Sequence, residues 1–260
     1  MFETILLEVD SRGVATLTLN RPEKHNALNA LMIEELTQAC GKIAADNDIR
    51  VVVLTGAGRS FCAGGDLGWM QEQMQADAAG RAAGARKLAL MLNALNTLPK
   101  PLIGAIQGQA FGGGIGMMSV CDVAIGVAEA KFGLTETRLG LIPATISPYV
   151  IARMGQARAR RVMMSARIFG AKEAVDLDLL ARCVPAEGLA GAVEAEVTPY
   201  LSVAPGAVAR TKKLIADQGG EIPDTQIEMT IAALVDTWEG NEASEGIAAF
   251  FDKRKPAWGA

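Results

Sequence analysis

Residues 4–9 and 14–19 run or alternate apolar on either side of a polar turn at 10–13, which predicts a β-hairpin ended by Arg21-Pro22. Asn29 precedes Met32, Leu36, Ala39, Cys40 and Ile43, the spacing of one helix face over about 30–45, and Asp46-Asn47-Asp48 breaks it. Residues 51–54, Val-Val-Val-Leu, carry no polar side chain, as in a parallel strand covered on both faces. A loop at 56–66 leads to a helical stretch over roughly 67–97, stopped by Pro99 and Pro101. Residues 102–106 form another buried strand, 108–114 a glycine-rich turn, 115–120 the start of a helix and 123–127 a strand. Strand–helix–strand alternation of this kind predicts an α/β fold.

The run 102–128 is apolar enough to suggest a membrane span, but Gln107, Gln109, Asp122 and the central glycines interrupt it. We read it as the strand, turn, helix and strand above, with no membrane association. Beyond about residue 145 strand signals largely stop and short helical periods take over. The last is capped by Asn241, with Glu242 and Glu245 in its first turn and Ile247, Phe250 and Phe251 on its apolar face. Lys253, Arg254 and Lys255 suit its negative end, and Pro256 stops it.

Half of the 260 residues are hydrophobic and 21% are charged, enough apolar side chain for a sizeable core. A net charge of -4 argues against nucleic acid as a partner; Arg158, Arg160 and Arg161 read as a solvated helix face. Cys40, Cys62, Cys121 and Cys183 lie far apart, with no C-x-x-C pair, and are expected to be reduced and mostly buried in a cytoplasmic protein. One histidine, His25, supplies no metal cluster, so no metal is expected. The first residues, with Glu3, Glu8 and Asp10, resemble neither a signal nor a transit peptide.

Three segments carry candidate chemistry. Phe61-Cys62-Ala63-Gly64-Gly65-Asp66-Leu67 follows a buried strand, and its glycines let a backbone approach a ligand and present N–H groups. Gly112-Gly113-Gly114 lies between a strand and a helix start, where amides meet the positive helix end. Phe132-Gly133-Leu134-Thr135-Glu136, followed by Gly140-Leu141-Ile142-Pro143, sets one carboxylate among apolar residues, where desolvation raises its pKa. Neither G-x-G-x-x-G after the first strand nor G-x-x-x-x-G-K-[ST] is present, so nucleotide-binding loops of those kinds are not expected.

In this order the segments resemble the crotonase, or enoyl-CoA hydratase/isomerase, family. The resemblance spans nearly the whole chain. It takes in Asn20-Arg21-Pro22, Asn26-Ala27-Leu28, Ala63-Gly64-Gly65-Asp66, Gly112-Gly113-Gly114, Cys121-Asp122, Phe132-Gly133, Glu245-Gly246, Ala249-Phe250 and Lys253-Arg254-Lys255-Pro256. It implies a spiral of ββα turns, here 1–200, holding an acyl-CoA site, and a helical C-terminal trimerisation region, 201–260, giving a homotrimer or homohexamer. It also implies an oxyanion hole made by the amides of Gly65 and Gly113, and Glu136 as the acid/base. CoA, part of the substrate rather than a cofactor, would lie against Lys24, His25 and Ala27 and against Ala63, Gly64, Asp66 and Leu67. Phe250 and Lys253, of this or a neighbouring subunit, would sit near the adenine and phosphates.

Hydratases of the best-known type in the family carry a second glutamate after the triple glycine; here that position is Gly116. Two catalytic readings follow, single-carboxylate hydration of an enoyl-CoA and double-bond isomerisation, which needs one base. A third is a non-catalytic binder of CoA thioesters. The stretch 135–148 resembles the bacterial branch that hydrates methylglutaconyl-CoA, which favours hydration. A second carboxylate on the substrate would need a partner; Arg138, Ser147 and Tyr149 are candidates by proximity. Asp122 reads as structural. Met70, Met74, Met91, Met117 and Met118 could line an acyl pocket or fill the core.

Overall fold

The computed structural model describes residues 2–219 and 222–259. The predicted hairpin forms as β1 (Ile5–Val9) and β2 (Val14–Leu19), paired antiparallel, with Gly13 at φ +82° in the turn. α1 (Ala30–Ala45) is capped by Asn29, whose Oδ1 accepts from the Met32 amide at 2.9 Å, and buries Met32, Leu36, Ala39, Cys40 and Ile43.

From there the chain repeats a strand pair followed by helix. β3 (Val51–Gly56) and β4 (Ser60–Cys62) precede α2 (Leu67–Gln75) and α3 (Ala78–Asn96). β5 (Leu102–Ile106) and β6 (Gln109–Phe111) precede α4 (Gly113–Val120). β7 (Val123–Val127) and β8 (Lys131–Gly133) lead through the Glu136 turn into α5 (Ser147–Met163). The first strand of each pair joins one sheet, in the order β1-β2-β3-β5-β7 and then β10 (Arg182–Val184), parallel beyond β2. The second joins another, in the order β4-β6-β8 and then β9 (Ile168–Gly170), with β9 antiparallel. Two sheets fed alternately by one chain make the ββα spiral. Its main core lies between them and α1, α3 and α4, with Phe61, Leu54 and Ile106 fully buried.

The remaining helices are α6 (Ala171–Asp176), α7 (Leu189–Val197), α8 (Pro205–Gly219), α9 (Asp224–Glu239) and α10 (Asn241–Phe251). α9 is anchored on α3 by a cluster of Ala85, Ala89, Ile227 and Ile231. Among the described residues no helix is long and apolar enough to cross a membrane; the apolar run 102–128 is divided among β5, β6, α4 and β7.

Several expectations need correction. The loop 56–66 and the turn 108–114 each contain a three-residue strand, β4 and β6, and α4 starts at Gly113 rather than Ile115. The helical stretch 67–97 is two helices, because Asp77 caps the second through the Gly80 amide at 2.7 Å. Strands do not stop at 145: β9 and β10 follow. Gly240, not Asn241, is the residue ahead of α10. Phe250 is not on that helix's buried face but 48% exposed, while Ile247 is buried.

Candidate active site

Segment 24–28 is held beside the glycine loop by main-chain bonds: Ala63 N to His25 O at 3.0 Å, Leu28 N to Gly64 O at 2.7 Å and Asp66 N to Leu28 O at 2.9 Å. His25 and Asn26 have φ of +52° and +54°, a conformation that needs outside support in residues other than glycine. The buried Asn26 side chain supplies it. Its Oδ1 accepts from Arg21 N at 2.8 Å, and its Nδ2 donates to Ala57 O at 2.9 Å and Ser60 O at 2.8 Å. Arg21 spans the two segments, donating to Ala27 O at 2.7 Å and to Asp66 Oδ2 at 2.9 Å. The other oxygen of Asp66 accepts from the Gly68 and Trp69 amides and caps α2. Burial pushes the Asp66 pKa up, but Arg21 and those amides outweigh it and hold the group below its ordinary value. Both Asp66 oxygens are thus committed to holding the loop.

His25 Nε2 lies 2.9 Å from the Arg59 guanidinium, which can only donate, so Nε2 is the acceptor and Nδ1–H donates to Ser60 Oγ at 2.8 Å. Lys24 is exposed and Ala27 buried, and Leu67 opens α2 half-exposed. Phe250, half-exposed and edge-on to Phe251 with ring centres 5.6 Å apart, and the exposed Lys253 lie at the end of α10, whose Ala243 and Ile247 pack with Leu141 beside the Glu136 turn.

The three glycine- or carboxylate-bearing segments converge. Gly112 has φ +47°, and its N–H donates to Gly133 O at 3.1 Å, tying the triple glycine to β8. A methyl group at Gly112 would come 2.9 Å from Glu136 Oε1 and 3.8 Å from Gly64 Cα; at Gly64 it would meet Phe111 O at 3.2 Å. Leu28 packs on Gly113, its Cδ1 2.6 Å from where a methyl would stand. Among the described residues the amides of Gly65 and Gly113 have no hydrogen-bond acceptor, and Gly113 opens α4, so its N–H lies at the positive helix end. Such a pair of amides can receive a developing negative charge.

Glu136 sits in a single 3-10 turn, Glu136–Leu139, between the buried Phe132 and Leu134 on one side and Leu141 on the other. Its Oε2 is buried with no hydrogen-bond partner. Burial raises its pKa to about 7, and its own backbone amide offsets only a part of that. A carboxyl poised near neutrality can both take and return a proton.

Gly116 faces Ile146: a methyl there would stand 2.6 Å from Ile146 Cγ2 and 3.6 Å from Leu92 Cδ1. The place left without a carboxylate is filled with hydrocarbon. Asp122 is structural, accepting from Leu102 N at 2.7 Å and Lys212 Nζ at 2.8 Å. Of the candidate partners for a substrate carboxylate, Ser147 and Tyr149 donate to the Ala144 and Ala89 carbonyls, leaving Arg138 exposed on the Glu136 turn. Met91, Met117 and Met118 are core. Met70 lies beside Gly65, with Cγ 3.6 Å from where a methyl would stand, and Met74 packs with Leu141 and Ile247. Cys40, Cys62 and Cys121 are buried thiols pushed up to about 12 by desolvation. Arg158 and Arg161 pair with Asp178 and Glu173, so the basic face is partly neutralised.

The linking roles of Arg21 and Asn26 and the packing of Ile146 were not foreseen from sequence. The first two had a signal, since a polar pair flanking a left-handed turn must find partners; Ile146 had none.

Residues 10–260 match the family model described as enoyl-CoA hydratase/isomerase. A short-chain-enoyl-CoA hydratase of Clostridium acetobutylicum is 31% identical over 258 residues, covering 96% of this chain and 95% of the relative. A crystal structure of an enoyl-CoA hydratase from Mycobacterium avium superposes with TM-score 0.89 at 30% identity, covering 99% of this chain and 100% of the other. One from Shewanella pealeana does so with TM-score 0.82 at 35% identity, covering 99% and 97%.

Proposed function

Given that the chain belongs to the enoyl-CoA hydratase/isomerase family, we propose that it hydrates an enoyl-CoA with Glu136 as its one acid/base and with the amides of Gly65 and Gly113 as the oxyanion hole. The observation that carries this reading is the Glu136 carboxyl beside Gly112, its Oε2 buried without a hydrogen-bond partner, together with the two unpaired amides of Gly65 and Gly113. Ionised Glu136 takes a proton from water as the hydroxide adds to C3. The thioester oxygen gains the charge and is held by the two N–H groups; one such donor typically contributes about 3 kcal/mol to the transition state. Glu136 then returns the proton to C2 and ends ionised, so one water has been added. This chemistry calls for no cofactor, since the CoA is part of the substrate.

CoA would lie along segment 24–27 and loop 63–67, whose main-chain pairing supports one continuous wall. A branched acyl group of the 3-methylglutaconyl kind is a finer proposal, motivated by the stretch 135–148, with exposed Arg138 as the candidate partner for its second carboxylate. A homotrimer or homohexamer and a cytoplasmic location belong with it, the first supported by the exposed apolar side chains of α8 and α9 and the second by four unpaired cysteines.

The hydrocarbon at Gly116 favours a second reading, isomerisation, in which Glu136 removes a proton from C2 of a 3-enoyl thioester and returns it at C4. Incubation with crotonyl-CoA, 3-methylglutaconyl-CoA and a 3-enoyl-CoA decides between them. Loss of conjugated thioester absorbance on either of the first two is expected. Absorbance gained only on the third makes the enzyme an isomerase. Binding without any turnover leaves a non-catalytic CoA-thioester binder.

A further inference from the structure

The Glu136 carboxylate has no hydrogen bond that fixes it from the front: Oε2 has no partner, and Oε1 lies against the α-carbon side of Gly112. Its position therefore depends on the backbone behind it, a single 3-10 turn ending at Gly140 with φ +67°. α10 lies across that turn, and two glycines meet opposing main chain at the crossing. A methyl group at Gly246 would stand 2.5 Å from the Leu139 carbonyl carbon and 2.6 Å from its oxygen, and one at Gly140 would overlap the Glu242 carbonyl. Leu141, Ala243 and Ile247, buried together, extend the crossing. α10 follows α9 directly, and α9 is anchored on α3, so α10 has a fixed seat of its own. A short turn pressed by a seated helix is the part that must give way.

We infer that Gly246 is a positioning residue: by letting α10 rest on the Leu139 main chain, it sets the Glu136 carboxylate at its place beside Gly112. This rests on the reading of Glu136 as the group that moves the proton. Charged groups around the turn are Arg138 on it, exposed, and Glu242 and Glu245 on α10, the first exposed and the second tied to Arg254 at 2.7 Å. Among the described residues none of them hydrogen-bonds the Glu136 carboxylate.

The test compares wild type, Gly246→Ala and Val197→Ala as full chains. Val197→Ala thins the separate cluster between α7 and the sheet, leaves the α9–α3 seat intact, and serves as a control for lost stability alone. Turnover and KM are measured on an enoyl-CoA that the wild type uses. Titration of the Glu136 carboxyl is followed by infrared difference spectroscopy, with Glu136→Gln as the blank. In Gly246→Ala, kcat is expected to fall on the order of 10- to 100-fold, the scale of a small misplacement of a reacting group. KM should stay within about twofold and the titration midpoint should move down as water reaches the carboxyl. Val197→Ala keeps the wild-type kcat and midpoint.

If Gly246→Ala loses stability like the control yet keeps the wild-type kcat and midpoint, the inference is overturned. A wild type that turns over no enoyl-CoA, while the midpoint still moves in Gly246→Ala, removes the catalytic reading of Glu136 and supports the positioning role. Should Gly246→Ala fail to fold, Ala243→Gly loosens the same crossing without overlap. A lowered midpoint there supports the inference, and an unchanged one overturns it.

Discussion

Burial moves the Glu136 carboxyl from 4.5 to about 7, and the shift acts on stability as well as on chemistry. Between about pH 4.5 and 7 the folded chain keeps a proton that the unfolded chain has released, so stability falls as pH rises through that window. Above it the ionised carboxylate, whose Oε2 has no hydrogen-bond partner, destabilises the fold by roughly 3 kcal/mol. Glu136→Gln is therefore expected to raise the unfolding free energy at pH 8 by about that amount and to leave it unchanged near pH 4, as read by urea unfolding at both. For activity the sign is opposite. Only the ionised group can take a proton from water, so kcat should fall as pH drops through about 7, and a pH–rate profile reads this directly. At Gly116 the neighbouring Ile146 methyl leaves no room, so Gly116→Ala should lower stability by about 1–3 kcal/mol, with partial recovery in the double variant with Ile146→Ala, measured by denaturant unfolding.

At the scale of elements, the loop that carries Gly65 depends on the Arg21–Asp66 pair, whose side chains are each 15% exposed. Arg21→Ala leaves a half-buried carboxylate with only its cap amides, and should cost about 2 kcal/mol of stability and weaken CoA-thioester binding, measured by unfolding and by calorimetric titration. The same scale shows what the sequence makes legible. The β1–β2 hairpin, β3, β5 and β7 were readable because apolar runs of that length have few other uses, and α1 because Asn29 and a helical period agree. β4, β6, β8, β9 and β10 have three residues each, too short for an alternation to register, and β8 and β9 end on a glycine that reads as a turn. The break between α2 and α3 was hidden because alanines continue the helical propensity on both sides, and only the Asp77 cap marks it. The site was legible as three segments, since glycines and an acid among apolar residues are local features. The contacts that join them, Arg21 to Asp66, Gly112 to Glu136 and Gly246 to Leu139, lie between residues distant in sequence and follow only from the fold.

At the scale of the molecule, the spiral brings loops from successive strand pairs to one place, while α9 and α10 return over them from the end of the chain. No residue of α8 is fully buried, and Leu214 and Ile215 are 55% and 67% exposed, as is Met229 of α9 at 62%. Large apolar side chains left in solvent are what an association surface would cover. Sedimentation is expected to give a trimer or hexamer, and Ile215→Asp to shift it toward monomer; a wild type that sediments as a monomer contradicts this. In the proposed mechanism one carboxyl, Glu136, does the proton transfer in a site built from two glycine turns. Its most direct test is turnover of crotonyl-CoA and 3-methylglutaconyl-CoA by wild type and Glu136→Gln, followed by loss of the conjugated thioester absorbance, with thioester binding measured in parallel. Wild type is expected to hydrate at least one of them, and Glu136→Gln to bind it but lose turnover; a Glu136→Gln enzyme that keeps full turnover contradicts proton transfer by Glu136.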